Sequence, residues 1–555
     1  MIHTVTVNSS SRKPSGEKFD ALVIGGGHNG LVCACYLARA GWRVGVFERR
    51  ERVGGAAVTE EFWPGFRNSS ASYTVSLLDP TVSRELRLAE HGLRILTRPM
   101  QNFLPLENGD SFSAGPNAAD TLAEVRRFSA RDAARLPAFN EMLAQAVTLL
   151  RDLLKRTPPT DLRRGRDLWE TLRFGWQLRA LPLRAQRELH ELFTRSAGEI
   201  LDHWFESEPI KALYGFDSVV GNYASPYTPG SAYVLLHHAF GEVNGQPGLW
   251  GHAVGGMGAI SEAIAAEARA LGVHIECDAA VARILTRTDR GTPQRSATGI
   301  ELADGRQFFA PRIAGNLGPK PLFLNLLAED ELPEDFRAHI ERWRVGSATL
   351  RMNLALAELP QFTAQRSRND MSHLGAGIIL APSLAYMDRA YAEARLQGLS
   401  STPIIEMLIP STLDDSLAPA GQHVASLFCQ HFDYEAPAGR SWQDEDLRSE
   451  AVAKIFAVLE TRIANFRRSL LGYSLLTPLD LETRFALAGG DIFHGALGLD
   501  QLWAARPALG FADYRTPVQG LYLCGAGAHP GGGVTGLPGR NAAREMLRDG
   551  PGARR

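Results

Sequence analysis

The N-terminal part of the chain contains two short, mostly apolar runs and, between them, a longer segment of helical periodicity. Ala21–Ile24 is one such run, and residues 43–47 form a second. Short continuous runs of branched apolar residues are typical of parallel strands that are covered on both faces. Between them, residues 31–40 repeat Leu and Ala at helical spacing, and Gly41 follows as a helix-ending glycine. The pattern predicts a strand, a helix and a second strand, the unit from which parallel α/β sheets are built.

The same reading continues along the chain. Residues 120–155 are predicted to be helical, with Pro137 as a break. A glycine-rich turn then precedes a helix over residues 259–270, and short strands follow at 273–276 and 280–285. We interpret this later stretch as a second strand–helix–strand unit of the same domain, reached after a long insertion.

Three glycines occupy the turn between the first strand and the first helix, at the spacing G-x-G-x-x-G. Gly25 lets the chain turn sharply, the missing Cβ of Gly27 lets a pyrophosphate approach the backbone, and Gly30 lets the helix pack close to the strand. The helix N-terminus offers free N–H groups and about half a positive charge to phosphates. Glu48 ends the second strand, where an acid accepts both hydroxyls of an adenosine ribose. The sequence therefore predicts a dinucleotide site.

The residues after Glu48 favour FAD over NAD. They read RVGGA and resemble the R-x-G-G segment of FAD enzymes of the glutathione-reductase and amine-oxidase type, in which the glycines wrap the diphosphate. The alternative is a surface turn with incidental arginines. No second G-x-G-x-x-G unit stands between a strand and a helix, so the substrate itself is expected to reduce the flavin. The cofactor-binding candidates of this segment are Arg49, Arg52, Gly54, Gly55 and Ala56.

A second glycine-rich segment closes the chain. A strand ends in glycines and a helix is predicted to begin near Thr535. Backbone N–H groups at such a helix start can stabilise negative charge on reduced flavin, at N1 and O2. The alternative is a glycine-rich loop without a ligand. The cofactor-binding candidates here are Gly525, Gly527, Val534, Thr535 and Gly536.

Six stretches together resemble one family, the phytoene-dehydrogenase-related FAD flavoproteins. They are GGGHNGLVCACYLARAG, RVGGAA, GNYASPYTPGSAYVLLHHAFGEVNG, GGMGAI, GGDIFHGAL and LYLCGAGAHPGGGVTGLPGRNAA, and they span residues 21–543. The resemblance is strongest to a branch named after pyridine nucleotide-disulfide oxidoreductases. It implies a two-domain, amine-oxidase-like FAD fold and oxidoreductase activity on a poorly defined substrate.

The order of elements then predicts the domains. The fold class is α/β, with a Rossmann-like FAD-binding domain of glutathione-reductase/amine-oxidase type and a discontinuous α+β substrate domain. Val281 falls where such FAD domains offer a backbone amide to the adenine. Residues 1–18 are predicted to be a disordered tail. The FAD-binding domain is predicted at residues 19–79, 240–318 and 478–555, and the substrate domain at residues 80–239 and 319–477.

Two departures restrict the chemistry that the family name suggests. Disulfide reductases need two cysteines near the flavin, usually as C-x4-C, whereas Cys33 and Cys35 lie two apart within the first predicted helix. Residues two apart on a helix point away from each other, so we interpret both as small core residues. Many amine-oxidase-type enzymes carry an acid where this chain has Ala526, and its absence favours the carotenoid-desaturase side of the superfamily.

Flavin chemistry suggests the reaction. Oxidised flavin accepts a hydride at N5 from a C–H bond held against it, while the protein orients the substrate and excludes water. We therefore expect an FAD-dependent oxidoreductase, dehydrogenase- or desaturase-like, with a small apolar substrate. Desaturation also releases a proton, and His529 and His494 are the catalytic candidates for the base. Two alternatives stay open: a flavin-dependent double-bond isomerase, and a regulatory flavoprotein with low turnover. No metal-binding motif appears.

Composition narrows the partners and the compartment. The net charge is −2, from 59 Lys+Arg and 61 Asp+Glu, which does not favour nucleic acid. Five scattered cysteines are typical of a reducing compartment, so we expect a cytoplasmic protein, or one of the mitochondrial matrix if the source is a eukaryote. No apolar run reaches the roughly 18 residues that predict a membrane-spanning helix.

Residues 161–187 carry seven arginines and three acids, interleaved with Trp169, Phe174, Trp176 and several leucines. A basic amphipathic helix of this kind can lie on an anionic membrane surface. The alternative is a helix that packs its apolar side on its own domain while its arginines face water. Peripheral membrane contact and a protein partner both stay open at this point.

Overall fold

The computed structural model describes residues 18–115, 117–288, 294–364, 370–437 and 439–551. The predicted disordered tail, residues 1–18, lies outside the described residues apart from Lys18. The α-helices of the described residues are α1 His28–Arg39, α2 Pro80–Glu85, α3 Ala118–Phe128, α4 Ala130–Leu154, α5 Gly165–Ala180, α6 Leu183–Thr194, α7 Ala197–Trp204, α8 Glu208–Val219, α9 Ser231–His238, α10 Gly258–Ala270, α11 Glu334–Glu341, α12 Leu384–Gln397, α13 Glu445–Arg462, α14 Phe466–Ser469, α15 Pro478–Phe485 and α16 Leu537–Asp549.

The strands of the same residues, short for the most part, form six sheets. They are β1 Ala21–Ile24, β2 Val44–Phe47, β3 Thr59–Trp63, β4 Phe66–Ser69, β5 Ile95–Thr97, β6 Asn102–Pro105, β7 Ser111–Ala114, β8 Glu242–Val243, β9 Gln246–Pro247, β10 Gly251–Ala253, β11 His274–Glu276, β12 Val281–Thr288, β13 Arg295–Leu302, β14 Gln307–Phe309, β15 Ile313–Gly315, β16 Thr349–Leu356, β17 Gly377–Leu380, β18 Leu399–Leu408, β19 His423–Phe432, β20 Leu470–Leu476 and β21 Leu521–Leu523.

A parallel five-stranded sheet with the order β11-β2-β1-β15-β21 carries the glycine motifs. Its two N-terminal strands are fully buried, as their apolar runs predict. Helices α1, α10 and α16 contribute to the core of this sheet, and α1 packs against both of the others. An antiparallel sheet, β12-β13-β14, also joins this core, and the ring of Phe308 lies 4.5 Å from that of Phe47. Strands from both ends of the chain thus meet in one sheet.

A seven-stranded mixed sheet with the order β20-β16-β19-β18-β17-β6-β7 forms the second large unit. All its pairs are antiparallel except β17 with β6. Strands β6 and β7 come from the early part of the chain, whereas β16 to β20 come from residues 349–476. Helices α4, α6, α7, α8, α9 and α12 share one apolar core beside this sheet, and α13 joins another.

The predicted break at Pro137 is wrong. Helix α4 runs through Pro137 from Ala130 to Leu154, and the interruption falls instead at Ser129, whose side chain caps α4 by accepting from the Asp132 N–H. A proline in a helix interior loses one hydrogen bond, yet α4 buries a long apolar stripe that includes Phe139 and Leu143. Tertiary burial therefore outweighs the local penalty.

None of the helices in the described ranges is long and apolar enough to cross a membrane.

Candidate functional site

The turn after β1 favours glycine at Gly25, Gly27 and Gly30. Gly25 has a φ of +94°, in the left-handed region that glycine adopts without strain. A Cβ on Gly27 would lie 2.7 Å from Asn316 Nδ2, and a Cβ on Gly30 would lie well under 3.0 Å from the Gly25 carbonyl oxygen. Helix α1 begins at His28 and points its first N–H groups at this turn. The turn therefore presents bare backbone and a helix N-terminus to the same space.

A second glycine loop sits on this turn. The Gly54 N–H donates to the Gly26 carbonyl over 2.9 Å, and Gly54 has a φ of +125°. A Cβ on Gly55 would lie 3.2 Å from Gly27 Cα, so the two loops touch backbone to backbone. Side chains at these positions would separate the loops and fill the space between them.

Glu48 stabilises the turn through hydrogen bonds to backbone N–H groups. Its side chain is buried, and its carboxylate accepts from the Gly26 N–H over 2.7 Å and from the Arg50 N–H over 3.0 Å. A carboxylate has about four acceptor positions, so two remain for hydroxyl donors. The acid thus has the partners and the capacity that binding of a ribose requires.

A cavity of about 250 Å³ lies against these loops, and we call it the turn cavity. Among the residues proposed from the sequence, Gly25, Gly27, Glu48, Arg49, Gly55, Ala56 and Val281 line it. Gly30, Arg52 and Gly54 do not. Gly30 and Gly54 act through packing, whereas the exposed Arg52 turns to Glu51 over 2.8 Å.

Several lining residues escaped the sequence analysis. Arg50 and Arg484 both pair with Glu60, at 2.5 and 2.9 Å, and flank the ring of Phe485. Asn316 donates to the Gly25 carbonyl over 3.2 Å. Arg50 lies within the glycine-rich segment and could have been named from it. Arg484 and Asn316 come from distant segments and carry no local signal.

The turn cavity fits the dinucleotide that the glycine motif predicts. Asn29 Oδ1 and His494 Nδ1 line it as buried polar atoms for which the described residues provide no hydrogen-bond partner. Burial, followed by the nearby His494, lowers the pKa of His28 to about 4. Burial and the nearby Arg506 likewise lower the pKa of His494 to about 4, so both imidazoles are neutral at neutral pH. Unpaired donors and acceptors beside a bare glycine turn suit a polar ligand with phosphates and hydroxyls.

The C-terminal glycine-rich segment, which we call the closing loop, runs from Gly525 to Gly536 and borders three cavities. Ala526 lines the turn cavity. Pro530, Gly532 and Thr535 line a second one of about 220 Å³, next to Ser76 and His237. His529 and Pro530 line a third of about 470 Å³. The loop thus borders both the turn cavity and the cavity beside α4 to α6.

Tight packing fixes the course of the closing loop. A Cβ on Gly525 would lie 3.0 Å from the Leu317 carbonyl oxygen, and one on Gly527 would overlap the ring of Pro319. Val534 has a φ of +57°, and Gly536, at +74°, precedes α16 as its N-cap. Gly525, Gly527, Val534 and Gly536 therefore shape the loop, while Thr535 reaches a cavity wall.

Arg506 holds the closing loop in place by hydrogen bonds. This residue was not identified from the sequence. Its side chain is fully buried and donates to the carbonyls of Ala526, Phe493 and Gln501 over 2.7 to 3.1 Å. Burial lowers the pKa of Arg506 to about 10, which leaves it charged at neutral pH. A buried cation with donors in a rigid fork can hold three separate segments in one arrangement.

His529 and His494 do not meet in one cavity. His529 Nε2 lies 3.0 Å from the Leu153 carbonyl oxygen, so Nε2 carries the hydrogen and Nδ1 is the unprotonated nitrogen. Burial lowers the pKa of His529 to about 3, and its ring stands edge-on to Trp503 at 4.7 Å. His494 lines the turn cavity instead. The two candidates therefore line different cavities.

The third cavity, which we call the apolar cavity, is walled by three helices. Leu150, Leu153 and Leu154 of α4, Phe174 and Leu178 of α5 and Leu189 and Phe193 of α6 line it, together with Tyr233, Phe240, Leu502 and Trp503. Its polar members are Gln186, His190 and His529. Such a lining favours a ligand without charge and with few polar groups.

The two cysteines of α1 are core residues in the structure. Both are fully buried; Cys33 Sγ lies 4.0 Å from Met546 Sδ, and Cys35 Sγ lies 3.6 Å from the Ile264 carbonyl oxygen. Burial raises the pKa of the Cys35 thiol far above its usual value. Neither cysteine lines the turn cavity.

Comparisons with known proteins agree with this geometry. The profile of the family described as flavin containing amine oxidoreductase matches residues 30–349. Pyridine nucleotide-disulfide oxidoreductase domain-containing protein 2 of Rattus norvegicus is 42% identical over 96% of this chain and 94% of its own length. A phytoene desaturase (lycopene-forming) of Pseudescherichia vulneris is 25% identical over 93% of this chain and 96% of its own. The solved structure of cyclohexylamine oxidase from Brevibacterium oxydans shares the fold, with a TM-score of 0.54 and 15% identity over 96% of this chain and 98% of that one.

Proposed function

The chain belongs to the family of flavin-containing amine oxidoreductases, and from that premise we propose that it is a dehydrogenase that moves a hydride from an apolar organic molecule to the N5 position of FAD. The family confirms the FAD cofactor, the amine-oxidase-type fold and the oxidoreductase class expected from the sequence. The observation that carries the choice of substrate is the apolar cavity, which ends at His529 and Pro530 of the closing loop.

In this proposal the turn cavity holds the dinucleotide. Glu48 accepts the ribose hydroxyls, the N-terminus of α1 faces the diphosphate, and the backbone of Val281 faces the adenine. Support comes from the glycine positions that exclude a Cβ and from the unpaired Asn29 Oδ1. When bound, FAD supplies the hydride acceptor of the reaction.

The apolar cavity orients the substrate and keeps water from it. Leucine and aromatic side chains bind a hydrocarbon by burial alone, so position is set by the shape of the cavity rather than by hydrogen bonds. A relative is named a phytoene desaturase, which is consistent with an apolar substrate. Most of the lining of this cavity comes from residues 80–239. We assign residues 80–239 and 319–477 to the substrate, and the remainder of residues 19–555 to FAD.

His529 is our candidate for the group that accepts the proton released when a double bond forms. Its Nδ1 is unprotonated because Nε2–H donates to the Leu153 carbonyl. A base with a low pKa suffices here, since a C–H bond next to a carbon that has lost a hydride is strongly acidic. His494 lines the turn cavity and is assigned to the cofactor instead.

The test is anaerobic reduction of the bound flavin. The FAD-loaded protein is mixed with a panel of acyclic and cyclic isoprenoids in detergent micelles, and its visible absorbance is followed. Bleaching by at least one apolar compound, with a product of one more double bond, is the expected result. Turnover that appears only after the flavin has been reduced beforehand would favour the isomerase. Bleaching by primary amines alone would overturn the proposed substrate class.

A blocked-cavity variant sharpens the test. Leu150→Trp fills the apolar cavity, and Leu509→Trp is a matched control because Leu509 is 75% exposed. We expect the first variant to bind FAD normally and to lose substrate bleaching by tenfold or more, with the control unchanged. Equal bleaching in both variants, with intact FAD binding, would show that substrate does not use this cavity.

A further inference from the structure

Helix α5 carries apolar side chains on two opposite faces. Phe174 and Leu178 point inward and line the apolar cavity. On the outer face, Leu168, Trp169, Leu172 and Trp176 are 44%, 54%, 46% and 56% exposed, and we call these four residues the tryptophan stripe. The two indole rings meet edge to face at 5.6 Å. At helical spacing the four side chains form one continuous strip, which Leu183 (60% exposed) extends at the start of α6.

None of the four stripe residues belongs to an apolar core of the described residues. Leu396 and Leu509 are also large, exposed apolar side chains, but each is separated in sequence from other residues of this kind. Single exposed apolar residues are ordinary, whereas a contiguous strip with two tryptophans marks a surface that is covered by a partner. The inner face of α5 thus explains Phe174 and Leu178 of the pattern seen in the sequence, but it does not explain the tryptophan stripe.

Positive charge frames the stripe. Arg163, Arg173, Arg179 and Arg187 are exposed, and none of them forms an ion pair within the part of the chain that the structure describes. The three acids of residues 161–187 have hydrogen-bond or ion-pair partners. Asp161 accepts from the Arg163 N–H, buried Asp167 accepts from the Thr160 and Asp161 amides, and Glu170 pairs with Arg156 at 3.3 Å. The face around the tryptophans is therefore cationic.

We propose that α5 and the start of α6 lie on the surface of an anionic lipid bilayer, with the tryptophan stripe inserted at the headgroup level and the arginines against lipid phosphates. Indole rings with an apolar body and one N–H are suited to this depth, and arginine binds phosphate through two donors at once. The apolar cavity opens beside these helices, so it can receive an apolar molecule directly from the bilayer; this second part rests on the proposed function.

The charges favour a bilayer over a second copy of the chain. A two-fold dimer through the stripe would bring each patch against itself and set the unpaired arginines of both copies close together. Such like-charge contacts are unfavourable, because the four unpaired arginines outnumber the three acids of residues 161–187. An anionic membrane meets the same arginines with opposite charge.

Vesicle flotation tests the proposal. The FAD-loaded protein is mixed with phosphatidylcholine vesicles, with or without an equimolar share of phosphatidylglycerol. We expect flotation with the anionic vesicles only. Arg173→Gln with Arg179→Gln should weaken partition by about 30-fold, because each basic residue near a charged surface contributes about 1 kcal/mol. Trp169→Ala with Trp176→Ala should weaken it by more than tenfold. Leu396→Ala with Leu509→Ala is the control, because these two apolar residues are even more exposed but lie outside the stripe.

The possible results of the flotation experiment lead to different conclusions. Flotation that is equal in all variants, or absent with anionic vesicles, overturns the proposal. Concentration-dependent dimerisation that the tryptophan variant abolishes, without flotation, also overturns it in favour of a second copy. Bleaching of the flavin by detergent-solubilised substrate reports on the proposed function separately: the tryptophan variant should keep it while losing turnover of substrate embedded in vesicles.

Discussion

Replacing Gly30 by alanine tests the steric argument for the glycine turn. Gly30 is the third residue of α1, so alanine would gain about 1 kcal/mol of helix propensity there. The new Cβ would lie well under 3.0 Å from the Gly25 carbonyl oxygen and 2.9 Å from Asn316 Nδ2. The amide of Asn316 can rotate, but the backbone of Gly25 cannot move without opening the turn.

The magnitude follows from these opposing terms. Overpacking against backbone costs about 3 kcal/mol at the upper end of the usual range, so the net loss of unfolding free energy should be about 2 kcal/mol. The carbonyl of Gly25 must shift by several tenths of an ångström, and with it the N–H groups that face the diphosphate. We therefore expect FAD affinity to fall by at least tenfold.

Chemical denaturation of the FAD-free protein and FAD fluorescence titration measure the two effects separately. Gly175→Ala is the matched control, because Gly175 lies within α5 and a Cβ there would meet nothing within 4 Å. This control should gain about 0.5–1 kcal/mol and bind FAD as before. A Gly30→Ala protein with unchanged affinity and unchanged stability would refute the reasoning.

Three further predictions follow from the structure. Glu48→Ala should weaken FAD binding by roughly a hundredfold without unfolding the chain, since two charge-assisted hydrogen bonds contribute about 3 kcal/mol; unchanged affinity in a fluorescence titration would mean that the acid only braces Gly26. Cys33→Ala with Cys35→Ala should leave the rate of flavin bleaching intact, because both thiols are buried away from the turn cavity; lost bleaching with retained FAD would reinstate thiol chemistry. Asp414→Asn should destabilise the protein by about 2 kcal/mol at pH 7. Although burial raises the pKa of Asp414, hydrogen bonds from the side chains of His252 and Ser416 and from the Gly255 N–H lower it more strongly. The stabilisation is therefore complete above about pH 4, near the unfolded pKa, and is lost as the pH falls below it, so pH-dependent thermal melts of the two proteins should converge in acid.

Local patterns were sufficient for the fold and the cofactor. The strand at Ala21–Ile24 has the predicted bounds, and the FAD cofactor and amine-oxidase-type fold expected from the glycine motifs and the C-terminal segment are confirmed by the family. The reason is that a glycine turn encodes its ligand locally. Whether a phosphate can approach the backbone depends on a few consecutive residues without Cβ atoms and on the helix that follows them.

Several features were beyond the reach of local patterns. Helix α4 continues through Pro137 because its apolar stripe is buried, a fact that no window of sequence contains. Arg484 and Asn316 reach the turn cavity from segments hundreds of residues away from Gly25. Arg52, inside the R-x-G-G segment, turns to Glu51 instead of the cavity.

The roles of the two histidines depended most on tertiary structure. Both lie in glycine-rich segments, and both were proposed from the sequence as candidates for the catalytic base. In the fold, His494 lines the turn cavity, whereas His529 lines the apolar cavity. Likewise, the sequence of α5 showed an amphipathic basic helix but not which apolar side chains face inward. The sequence alone determined which groups are present and the backbone motif that binds phosphate; which cavity each side chain faces was decided by contacts between distant segments, because only the packed chain defines an inside and an outside.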